Sequence, residues 1–423
     1  MMIGLLQFMS KAIWFFNHYS QPIEYYPHER TFQYASKMIN QGYNAFIFCS
    51  STVHNSNINL SNSKERFFVT SSNNINYIVL KTRNYKGNGI SRVFNMLEYT
   101  IKLFLSYKKI QRPELIVATS VHPFACYAAI KIARKLKVKC VIEIADLWPE
   151  SIVAYGLASK KNLFVRFLYL LEKYIYTKSD ILIFTMRGGL DYIENQKNLS
   201  HITKKNKIHT INNGVDLDKF DFNSKNYIYT NPSYTTPSSF KVVYTGSLGE
   251  ANQIFLILKT AKLVSAFNAN ISFFLFGDGP QIGEIRSYVI DNNLNNVFLM
   301  GKVDRKYIPS ILIQSDLNVI TIKESSIIKY GMSPNKLFEY AASGKPILVN
   351  CESSYDLIKE FNCGVISKFN NPNGLAQSIL DIKNMNEVEY KKISYNARKM
   401  AEYFDYKNTT QRFNEIIAKL LKK

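Results

Sequence analysis

Short apolar runs alternate with stretches of helical periodicity along most of this chain, and this alternation limits its possible folds more than any other feature. In the first half the apolar runs are Ala12–Phe16, Asn44–Cys49, Tyr77–Leu80, Leu115–Thr119, Cys140–Ile144 and Ile181–Thr185. In the second half they are Phe240–Gly249 with its glycine turn, Ile271–Phe276, Val297–Met300, Asp316–Thr321 and Pro346–Asn350. Strands separated by helices pair in parallel, because a parallel connection needs a long crossover. The sequence therefore predicts an α/β fold with parallel sheets.

The length of 423 residues exceeds what one hydrophobic core usually organises, so two domains of roughly 200 residues are expected. Apolar residues make up 46% of the chain, which supports globular folding throughout. Residues 223–239 are rich in Asn, Ser, Thr, Tyr and Pro and show neither helical nor strand periodicity, which indicates a linker. The predicted division is a first domain at 1–222, the linker, a second domain at 240–405 and a final helical segment at 406–423.

The chain is strongly basic, with a formal net charge of +21. Such a charge favours a negative partner, and nucleic acid, anionic lipid headgroups and diphosphate ligands all qualify. We expect no nucleic-acid partner, because no recognition motif accompanies the charge. No apolar run reaches the roughly 18 residues of a membrane-spanning helix, so integral insertion is not expected.

Basic residues are concentrated in the first half, where Ile101 to Asp180 carry 14 Lys or Arg against 6 Asp or Glu. Lys131, Arg134 and Lys135 lie at helical spacing beside apolar residues, as on a basic amphipathic surface helix. Leu163–Tyr176 is an apolar and aromatic helix with basic residues at other positions. Core packing explains most of its apolar residues, and contact with an anionic membrane surface would explain the basic ones too. We therefore expect a peripheral protein on the cytoplasmic face of the cell membrane.

The cysteines and the start of the chain agree with a cytoplasmic location. The five cysteines are odd in number and lack the spacing of metal ligands, so they are expected to be buried free thiols. Met1 to Met9 are apolar but lack the basic region and cleavage site of a secretory signal. Met9 is an alternative start, directly before the first predicted strand.

One stretch of the second half has the features of an anion site. Ser333 can cap a helix whose first residue is Pro334, and Gly344 with Pro346 ends that helix about three turns later. The free N–H groups of a helix start attract phosphate, and Lys336 adds a positive charge in the first turn. Glu339 lies on the same face as Lys336, where a carboxylate can accept hydrogen bonds from sugar hydroxyls. The alternative is an ordinary solvated Lys–Glu pair.

The segment Ser333-Pro-Asn-Lys-Leu-Phe-Glu-Tyr-Ala-Ala-Ser-Gly-Lys-Pro346 resembles the donor-site helix of retaining glycosyltransferases of family 4. This resemblance implies the GT-B fold, in which two Rossmann-like domains face a central cleft and the last helix crosses back to the first domain. Asn213-Gly-Val-Asp216 resembles the domain junction of the same family, which implies a hinge between Asp216 and Phe240. The chain is most similar to O-antigen and capsule enzymes that handle N-acetylated deoxyhexosamines, partly through Asp146-Leu-Trp-Pro-Glu-Ser151.

The resemblance implies roles for particular residues. Three are expected to act in catalysis: Lys336, Glu339 and His122. Seven are expected to bind the donor: Gly246, Ser247, Lys302, Val303, Ser333, Pro334 and Asn335. Three are expected on the acceptor side: His18, Asp146 and Glu150. The loop of Lys302 and Val303 would contact the base through backbone groups, so its side chains do not distinguish uracil from guanine or adenine.

Two of these residues have simpler explanations. His122 directly follows a predicted strand, where the ligand-binding residues of α/β sheets collect, but loop histidines are also held by backbone groups alone. Asp146 also ends a predicted strand, and an aspartate in that place can cap the turn made with Pro149. Glu150 shares this alternative.

The chain departs from the family pattern in two places. Family members carry Arg and Lys shortly after the loop of Gly246, where this chain has Glu250, Asn252 and Gln253. The usual first glutamate, eight residues before Glu339, is replaced by Gly331. Gly277-Asp-Gly-Pro280 is a near-match to a dinucleotide fingerprint, but its spacing and its proline favour a plain turn.

The sequence as a whole predicts a retaining glycosyltransferase that moves an N-acetylated sugar from a UDP donor to a lipid-diphosphate-linked glycan. No glycosidase-like carboxylate pair and no Asp-X-Asp metal motif is evident in it, so neither metal nor other cofactor is expected. Two alternatives share the fold. One is a nucleotide-binding protein without transfer activity, suggested by Glu250 and Gly331, and the other is a nucleotide-sugar epimerase.

Overall fold

The computed structural model describes residues 11–25, 29–54, 56–61, 64–85, 87, 89–196, 199–202, 207–236, 238–267 and 270–422. The alternative start at Met9 lies outside these residues. The chain divides into two compact units. The first unit is Met1–Asn212 together with Thr409–Lys423, and the second unit is Asn213–Asn408.

The first unit is built on an eight-stranded sheet in the order β3-β4-β2-β1-β5-β6-β7-β8. Its strands are β1 Ala12–Phe16, β2 Asn44–Ser50, β3 Phe67–Ser72, β4 Ile75–Leu80, β5 Pro113–Thr119, β6 Lys139–Ile144, β7 Ile181–Phe184 and β8 Ile208–Thr210. Its helices are α1 Glu29–Ile39, α2 Ile90–Ser106, α3 Pro123–Leu136, α4 Glu150–Ala154, α5 Leu163–Lys178 and α6 Gly189–Asn195. All strand pairs are parallel except β3 with β4. The parallel sheet predicted from the alternation is confirmed.

The polar composition between Ser50 and Asn74 predicts a surface loop, but the structure forms an antiparallel strand, β3, in this stretch. β3 pairs with β4 from Phe67 opposite Leu80 to Ser72 opposite Ile75. It is an edge strand, and along it half-buried and exposed residues mix. Because β3 contributes little to the core, its sequence carries only a weak hydrophobic signal.

Two helices that are distant in sequence pack on one face of this sheet. Tyr34 of α1 stacks on Phe413 with ring centroids 4.0 Å apart, and both join the core with Phe15 of β1. Phe413 belongs to the last helix of the chain, α16 Tyr406–Leu421, which begins in the second unit and continues in the first. The last helix therefore completes a core that the first strands begin.

The second unit is built on a six-stranded, all-parallel sheet in the order β11-β10-β9-β12-β13-β14. Its strands are β9 Phe240–Thr245, β10 Ile271–Phe276, β11 Val297–Gly301, β12 Leu317–Ile320, β13 Ile347–Val349 and β14 Gly364–Ile366. Its helices are α7 Leu217–Asn226, α8 Pro232–Thr235, α9 Ile254–Ala266, α10 Ile282–Asp291, α11 Ile308–Ile313, α12 Asn335–Ala342, α13 Leu357–Phe361, α14 Pro372–Lys383 and α15 Glu387–Tyr403. Two apolar clusters form its core. The chain thus forms two α/β domains, as predicted.

The predicted linker at 223–239 is part of the second unit. It contains the end of α7 and the whole of α8, and the boundary between the units falls at Asn212 and Asn213 instead. Tyr234 is fully buried, and its hydroxyl donates a hydrogen bond of 2.6 Å to the Ile311 carbonyl. Tyr234 joins Leu217 and Phe220 of α7 in the core of the second unit. A single fully buried aromatic residue in a polar segment is too little to produce a visible periodicity.

All five cysteines are buried free thiols, as expected. Among the helices of the described residues, none combines the length and the apolar character needed to cross a bilayer.

Candidate functional site

The second sheet reverses its strand order between β9 and β12, and the residues of interest in the second unit gather at this point. The chain runs outward from β9 through β10 to β11, then returns to the other side of β9 with β12. In open α/β sheets, ligands bind outside the carboxyl ends of the strands at such a reversal. The glycine loop after β9 and the segment after β12 meet here, since Thr321 Oγ1 donates to the Asn252 carbonyl at 2.5 Å.

Lys336 of α12 reaches into this loop. Its Nζ donates to the Tyr244 hydroxyl at 2.9 Å and to Asn252 Oδ1 at 3.2 Å, and it lies 4.2 Å from the centre of the Tyr244 ring. Gly246 leaves the space for it, because a Cβ on this glycine would lie 2.9 Å from Lys336 Nζ. The ammonium group is thus held in a fixed place beside the glycine loop.

The environment of Lys336 weakens its hold on its proton. Burial lowers the pKa of Lys336 from 10.5 to about 8, and the Glu339 carboxylate partly opposes this change. The charge therefore lacks full compensation from the surrounding protein. An anion placed at the loop would restore the ordinary pKa and would bind more tightly to the charged form.

Glu339 pairs with Arg305 and not with Lys336, the cation of the alternative explanation. Arg305 Nη2 lies 2.8 Å from Glu339 Oε1, and the two side chains are 54% and 24% exposed. Lys336 and Glu339 therefore do not form the surface pair that the sequence left open. Arg305 was not singled out from the sequence, although it lies in the charged run Asp304-Arg-Lys306 directly after the loop of Val303.

Ser333 does not cap α12, and this prediction was wrong. The helix α12 begins at Asn335 after an extended Pro334, which places Ser333 outside the first turn. Ser333 Oγ instead accepts from the Asn213 backbone N–H at 2.8 Å, and its carbonyl accepts from Asn213 Nδ2 at 2.6 Å. No described side chain caps α12. The Leu337 N–H donates to the Pro334 carbonyl at 3.1 Å, which leaves the N–H groups of Asn335 and Lys336 to a ligand.

The residues that replace the family's Arg and Lys have partners of their own. Glu250 Oε1 lies 2.5 Å from the Nζ of Lys323, a residue that follows β12. Asn252 accepts from Lys336 and donates to the Ser247 carbonyl at 3.0 Å. The departure from the family pattern therefore brings one further cation, Lys323, to the loop, and it uses Asn252 to orient Lys336.

The remaining predicted donor residues lie on this side of the sheet with smaller contacts. Lys302 is exposed directly after β11, and Val303 packs against the core of the second unit. Asn335 is exposed at the first position of α12. Gly277 and Gly279 are required by close backbone contacts, since a Cβ there would lie 1.8 Å from the Gly246 oxygen and 2.3 Å from the Leu248 oxygen. This packing explains the glycines without a dinucleotide, as the sequence favoured.

In the first unit the corresponding reversal lies between β1 and β5, and each of these strands is followed by a buried histidine. His122 begins α3, where its Nδ1 accepts from the Ala125 N–H at 3.3 Å. Its Nε2 lies 2.9 Å from His18 Nδ1, and His18 Nε2 lies 2.6 Å from Asn95 Oδ1. These contacts assign the protons: His122 donates to His18, and His18 donates to Asn95.

Both histidines are neutral. Burial, with the repulsion of the Arg92 charge, lowers the pKa of His122 to about 3. Burial also lowers the pKa of His18 well below its ordinary value, with a further contribution from His122. Neither histidine is exposed, so each would have to give up its present partner to reach a ligand.

Arg92 is the main residue that the sequence did not reveal in this unit. Its Nε donates to the Tyr19 hydroxyl at 2.9 Å, and its charge acts on His18, His122, His54 and Asp146. It projects from α2, far in sequence from these residues. A positive charge among neutral histidines and an exposed aspartate makes this edge suitable for a polar or anionic ligand.

The two predicted acceptor-side acids differ in their surroundings. Asp146 is exposed after β6, and the turn that follows is closed by the Trp148 N–H on the Asp146 backbone oxygen at 3.0 Å. Glu150 is buried. The Tyr169 hydroxyl donates to Glu150 Oε2 at 2.5 Å, and Lys160 Nζ lies 3.1 Å from Glu150 Oε1. Glu150 therefore connects α4 to α5, whereas Asp146 is open to solvent.

Metal ligands are not grouped in this structure. Across the described ranges, no three His, Cys, Asp or Glu side chains are arranged to hold a metal ion.

Comparisons with known proteins agree with this geometry. A profile of the family described as "Glycosyl transferases group 1" matches residues 239–384, which lie inside the second unit. The probable glycosyltransferase WbjE of Pseudomonas aeruginosa is 22% identical over 300 residues, covering 70% of this chain and 71% of its own length.

Two solved structures share the fold over nearly the whole chain. Sucrose-phosphate synthase from Thermosynechococcus elongatus superposes with a TM-score of 0.72 at 15% identity, covering 97% of this chain and 99% of that one. The structure of HepE of Anabaena, in complex with UDP and glucose, superposes with a TM-score of 0.65 at 14% identity. The match covers 97% of this chain and 100% of that one. Together with the family profile, these similarities support a glycosyltransferase with the GT-B fold.

Proposed function

We propose that the protein is a retaining glycosyltransferase that moves an N-acetylated deoxyhexosamine from a UDP-sugar to a lipid-diphosphate-linked glycan. The reaction would serve the synthesis of a surface polysaccharide of the O-antigen or capsule type. The observation that carries this proposal is Lys336, whose ammonium group is held beside the Gly246 loop near the open start of α12. A nucleotide diphosphate bound there would meet a positive charge and free helix N–H groups together.

The chemistry of sugar transfer explains why such a site would catalyse the reaction. Negative charge grows on the leaving diphosphate as the bond to the sugar breaks, so fixed donors stabilise the transition state more than the ground state. A charge-assisted hydrogen bond from Lys336 contributes roughly 1.5–3 kcal/mol, and the helix start roughly 0.3–1 kcal/mol. Lys336 is therefore the larger contribution.

We propose that Lys336 and the helix start neutralise the diphosphate without a metal ion or other cofactor. Lys323 could add a second positive charge by leaving Glu250, because this pair is on the surface, where ion pairs contribute little.

Glu339 is proposed to accept hydrogen bonds from hydroxyls of the bound nucleotide sugar. Its carboxylate has two oxygens, and Arg305 is 2.8 Å from Oε1. Arg305 would hold the carboxylate in position while the sugar hydroxyls bind the remaining lone pairs. Lys302 and Val303, at the end of the neighbouring strand, would contact the base through backbone groups.

The first unit is proposed to bind the acceptor at the carboxyl ends of β1, β5 and β6. Asp146 is exposed there and can accept from an acceptor hydroxyl, and His18 and His122 would contribute neutral N–H groups. His122 would reach a ligand only by releasing His18. Glu150 would act indirectly, by fixing α4 against α5.

We also propose that α5 attaches the protein to the cytoplasmic face of an anionic membrane. Leu163, Phe164, Phe167 and Leu170 are exposed on α5, with Leu163 80% accessible. Lys160, Lys161, Arg166 and Lys173 accompany them, as in helices that lie in a membrane interface. Helices that connect parallel strands begin at the carboxyl edge, so this apolar end of α5 lies on the side proposed for the acceptor.

The proposal is tested with the variant Lys336→Ala. We expect transfer of labelled sugar from UDP-sugars to a lipid-diphosphate-linked glycan to fall roughly ten- to hundredfold, because one charge-assisted contact is lost. Lys259→Ala, an exposed lysine of α9, is the matched control and should leave the rate unchanged. A wild-type rate in Lys336→Ala would remove Lys336 from the mechanism.

The same assay separates the alternatives. UDP binding without turnover on any acceptor would favour a protein that has lost transfer activity, for which Gly331 and Glu250 are the motivating residues. Release of a free sugar isomer without acceptor would favour an epimerase. Salt-sensitive binding to DNA without affinity for liposomes would favour a nucleic-acid partner.

A further inference from the structure

A second candidate site lies at the opposite edge of the first sheet, at the amino ends of β1, β5 and β6. It is a cavity of about 960 Å³. Six of its lining residues are basic: Lys11, Arg112, Arg134, Lys137, Lys139 and Lys178. Its acidic lining residues are Glu114 and Asp180. A volume of this size is typical of sites for small molecules.

Both acids are already paired. Glu114 Oε1 lies 2.9 Å from Lys11 Nζ. Asp180 Oδ1 lies 3.3 Å from Lys139 Nζ, and its Oδ2 accepts from the Cys140 N–H at 2.8 Å. Four cations thus line the cavity without an acidic partner among the described residues: Arg112, Arg134, Lys137 and Lys178.

A simpler explanation for these cations is that they neutralise helix ends, since α3 and α5 both end at this edge. Arg112 does so, because its Nη2 donates to the Leu136 carbonyl at 2.6 Å. The backbone N–H groups of Lys137 and Val138 already bind the carbonyls of the last turn of α3. The side chains of Lys137 and Lys178 make no such bond within the described part of the chain, and both are exposed.

We propose that this cavity binds a phosphate-bearing anion, either the headgroup of an anionic phospholipid or a free phosphorylated molecule. Arginine and lysine together suit phosphate, because arginine binds two oxygens at once and lysine supplies a mobile point charge. The site does not compete with the carboxyl edge, because the seven residues of β5 separate the two edges by roughly 20 Å. It is independent of the proposed transferase activity.

Lysine footprinting on the wild-type chain tests the site directly. We expect inorganic pyrophosphate to protect Lys137 and Lys178 from acetylation, and exposed lysines elsewhere, such as Lys64 and Lys225, to remain reactive. Phosphatidylglycerol vesicles that protect the same two lysines, where phosphatidylcholine vesicles do not, would identify a lipid headgroup as the source. Protection by pyrophosphate alone would identify a free phosphorylated molecule. Absence of protection by either anion would overturn the proposal.

Paired variants give a second readout. Lys137→Gln with Lys178→Gln should weaken the cavity's binding of pyrophosphate about tenfold or more, as expected for two lost charge-assisted contacts. The control pair, Lys64→Gln with Lys225→Gln, removes the same amount of charge elsewhere and should leave pyrophosphate binding unchanged. Any pyrophosphate bound at the Lys336 site contributes equally to the binding measured for both variant pairs. Unchanged pyrophosphate binding in the cavity variant, with a lower melting temperature, would mean that these lysines only stabilise helix ends.

Discussion

At the scale of single residues, Lys336 combines burial with a proposed function that requires its positive charge. The Tyr244 ring and Asn252 hold its ammonium group, and burial lowers its pKa to about 8. Below pH 8 the charged form dominates, and above pH 8 the neutral form does. If the proposed diphosphate binds at Lys336, its affinity should therefore depend on pH in a range where most lysines do not titrate.

We predict that UDP affinity falls above pH 8 by up to about tenfold per pH unit, because binding then requires proton uptake at Lys336. Calorimetry between pH 7 and 9.5, in buffers of different ionisation enthalpy, would measure both the affinity and the proton uptake. In Lys336→Arg the fall should disappear, because guanidinium stays charged in this range. Constant wild-type affinity up to pH 9.5 would contradict the prediction.

Glu172 of α5 is a buried acid whose pKa is strongly raised. Burial and the nearby Glu150 raise its pKa from 4.5 to about 8, although the hydrogen bond of 2.6 Å from Tyr192 opposes the shift. The folded state therefore binds this proton more tightly than the unfolded state does. Its contribution to stability is present below pH 4.5 and is lost as the pH rises to 8.

We predict that Glu172→Gln reduces the loss of stability between pH 5 and pH 8, because glutamine accepts the same hydrogen bond without ionising. The wild-type loss from this group is at most roughly 5 kcal/mol. Melting temperatures at both pH values would measure it, and Glu389→Gln on the exposed face of α15 is the control. Equal pH dependence in Glu172→Gln and the wild type would show that Glu172 is ionised in the fold.

At the scale of elements, the glycine loops after β9 and β10 pack directly against each other. A Cβ on Gly277 would lie 1.8 Å from the Gly246 oxygen, and Gly277 has φ near +144°. The loop that holds Lys336 is therefore shaped by its neighbour. Gly283, at the start of α10, has no atom within 4 Å of its Cβ position.

We predict that Gly277→Ala destabilises the second unit by about 3 kcal/mol or more, because backbone cannot yield as a flexible side chain can. Gly283→Ala should be neutral or stabilising by up to about 1 kcal/mol, because alanine favours the helix. Denaturant unfolding of both variants would measure the difference. Similar stabilities for the two variants would show that the loops separate easily.

The secondary-structure elements could be predicted from the sequence more fully than the long-range contacts of individual side chains. Strand and helix alternation depends on local periodicity, and Lys336, Gly246 and the Gly277 turn were all recognisable from their own segments. Ser333 was assigned to its own helix, yet it binds Asn213, which is 120 residues away. Arg92 and Arg305 also act on residues from distant segments, and one sequence gives no signal for such pairs.

At the scale of the whole molecule, the peptide between Asn212 and Asn213 is held on both sides. In the first unit, buried Arg30 donates to the carbonyls of Ile211 at 2.7 Å and Asn212 at 2.5 Å, and lies 2.5 Å from Glu143. In the second unit, Asn213 holds Ser333. Ser333, two residues before the start of α12, is thus tied to the junction.

We predict that Arg30→Ala destabilises the first unit by about 3–5 kcal/mol, because it leaves Glu143 buried without its partner. Calorimetric unfolding should show the loss in the first unit only. Arg30→Ala with Glu143→Gln should recover part of it, since no charge then remains buried. A wild-type melting profile in Arg30→Ala would mean that water compensates Glu143.

The position of the last helix in the chain determines the order in which the two units can finish folding. The second unit is, in chain order, an insertion between the body of the first unit and its final helix. Phe413, Ile417 and Leu420 complete a core whose other members lie before residue 212. During synthesis on the ribosome, the second unit emerges before the first unit is complete, because the core of the first unit also needs α16, which follows the second unit in the chain. The half of the protein that is translated first is therefore the half that finishes folding last.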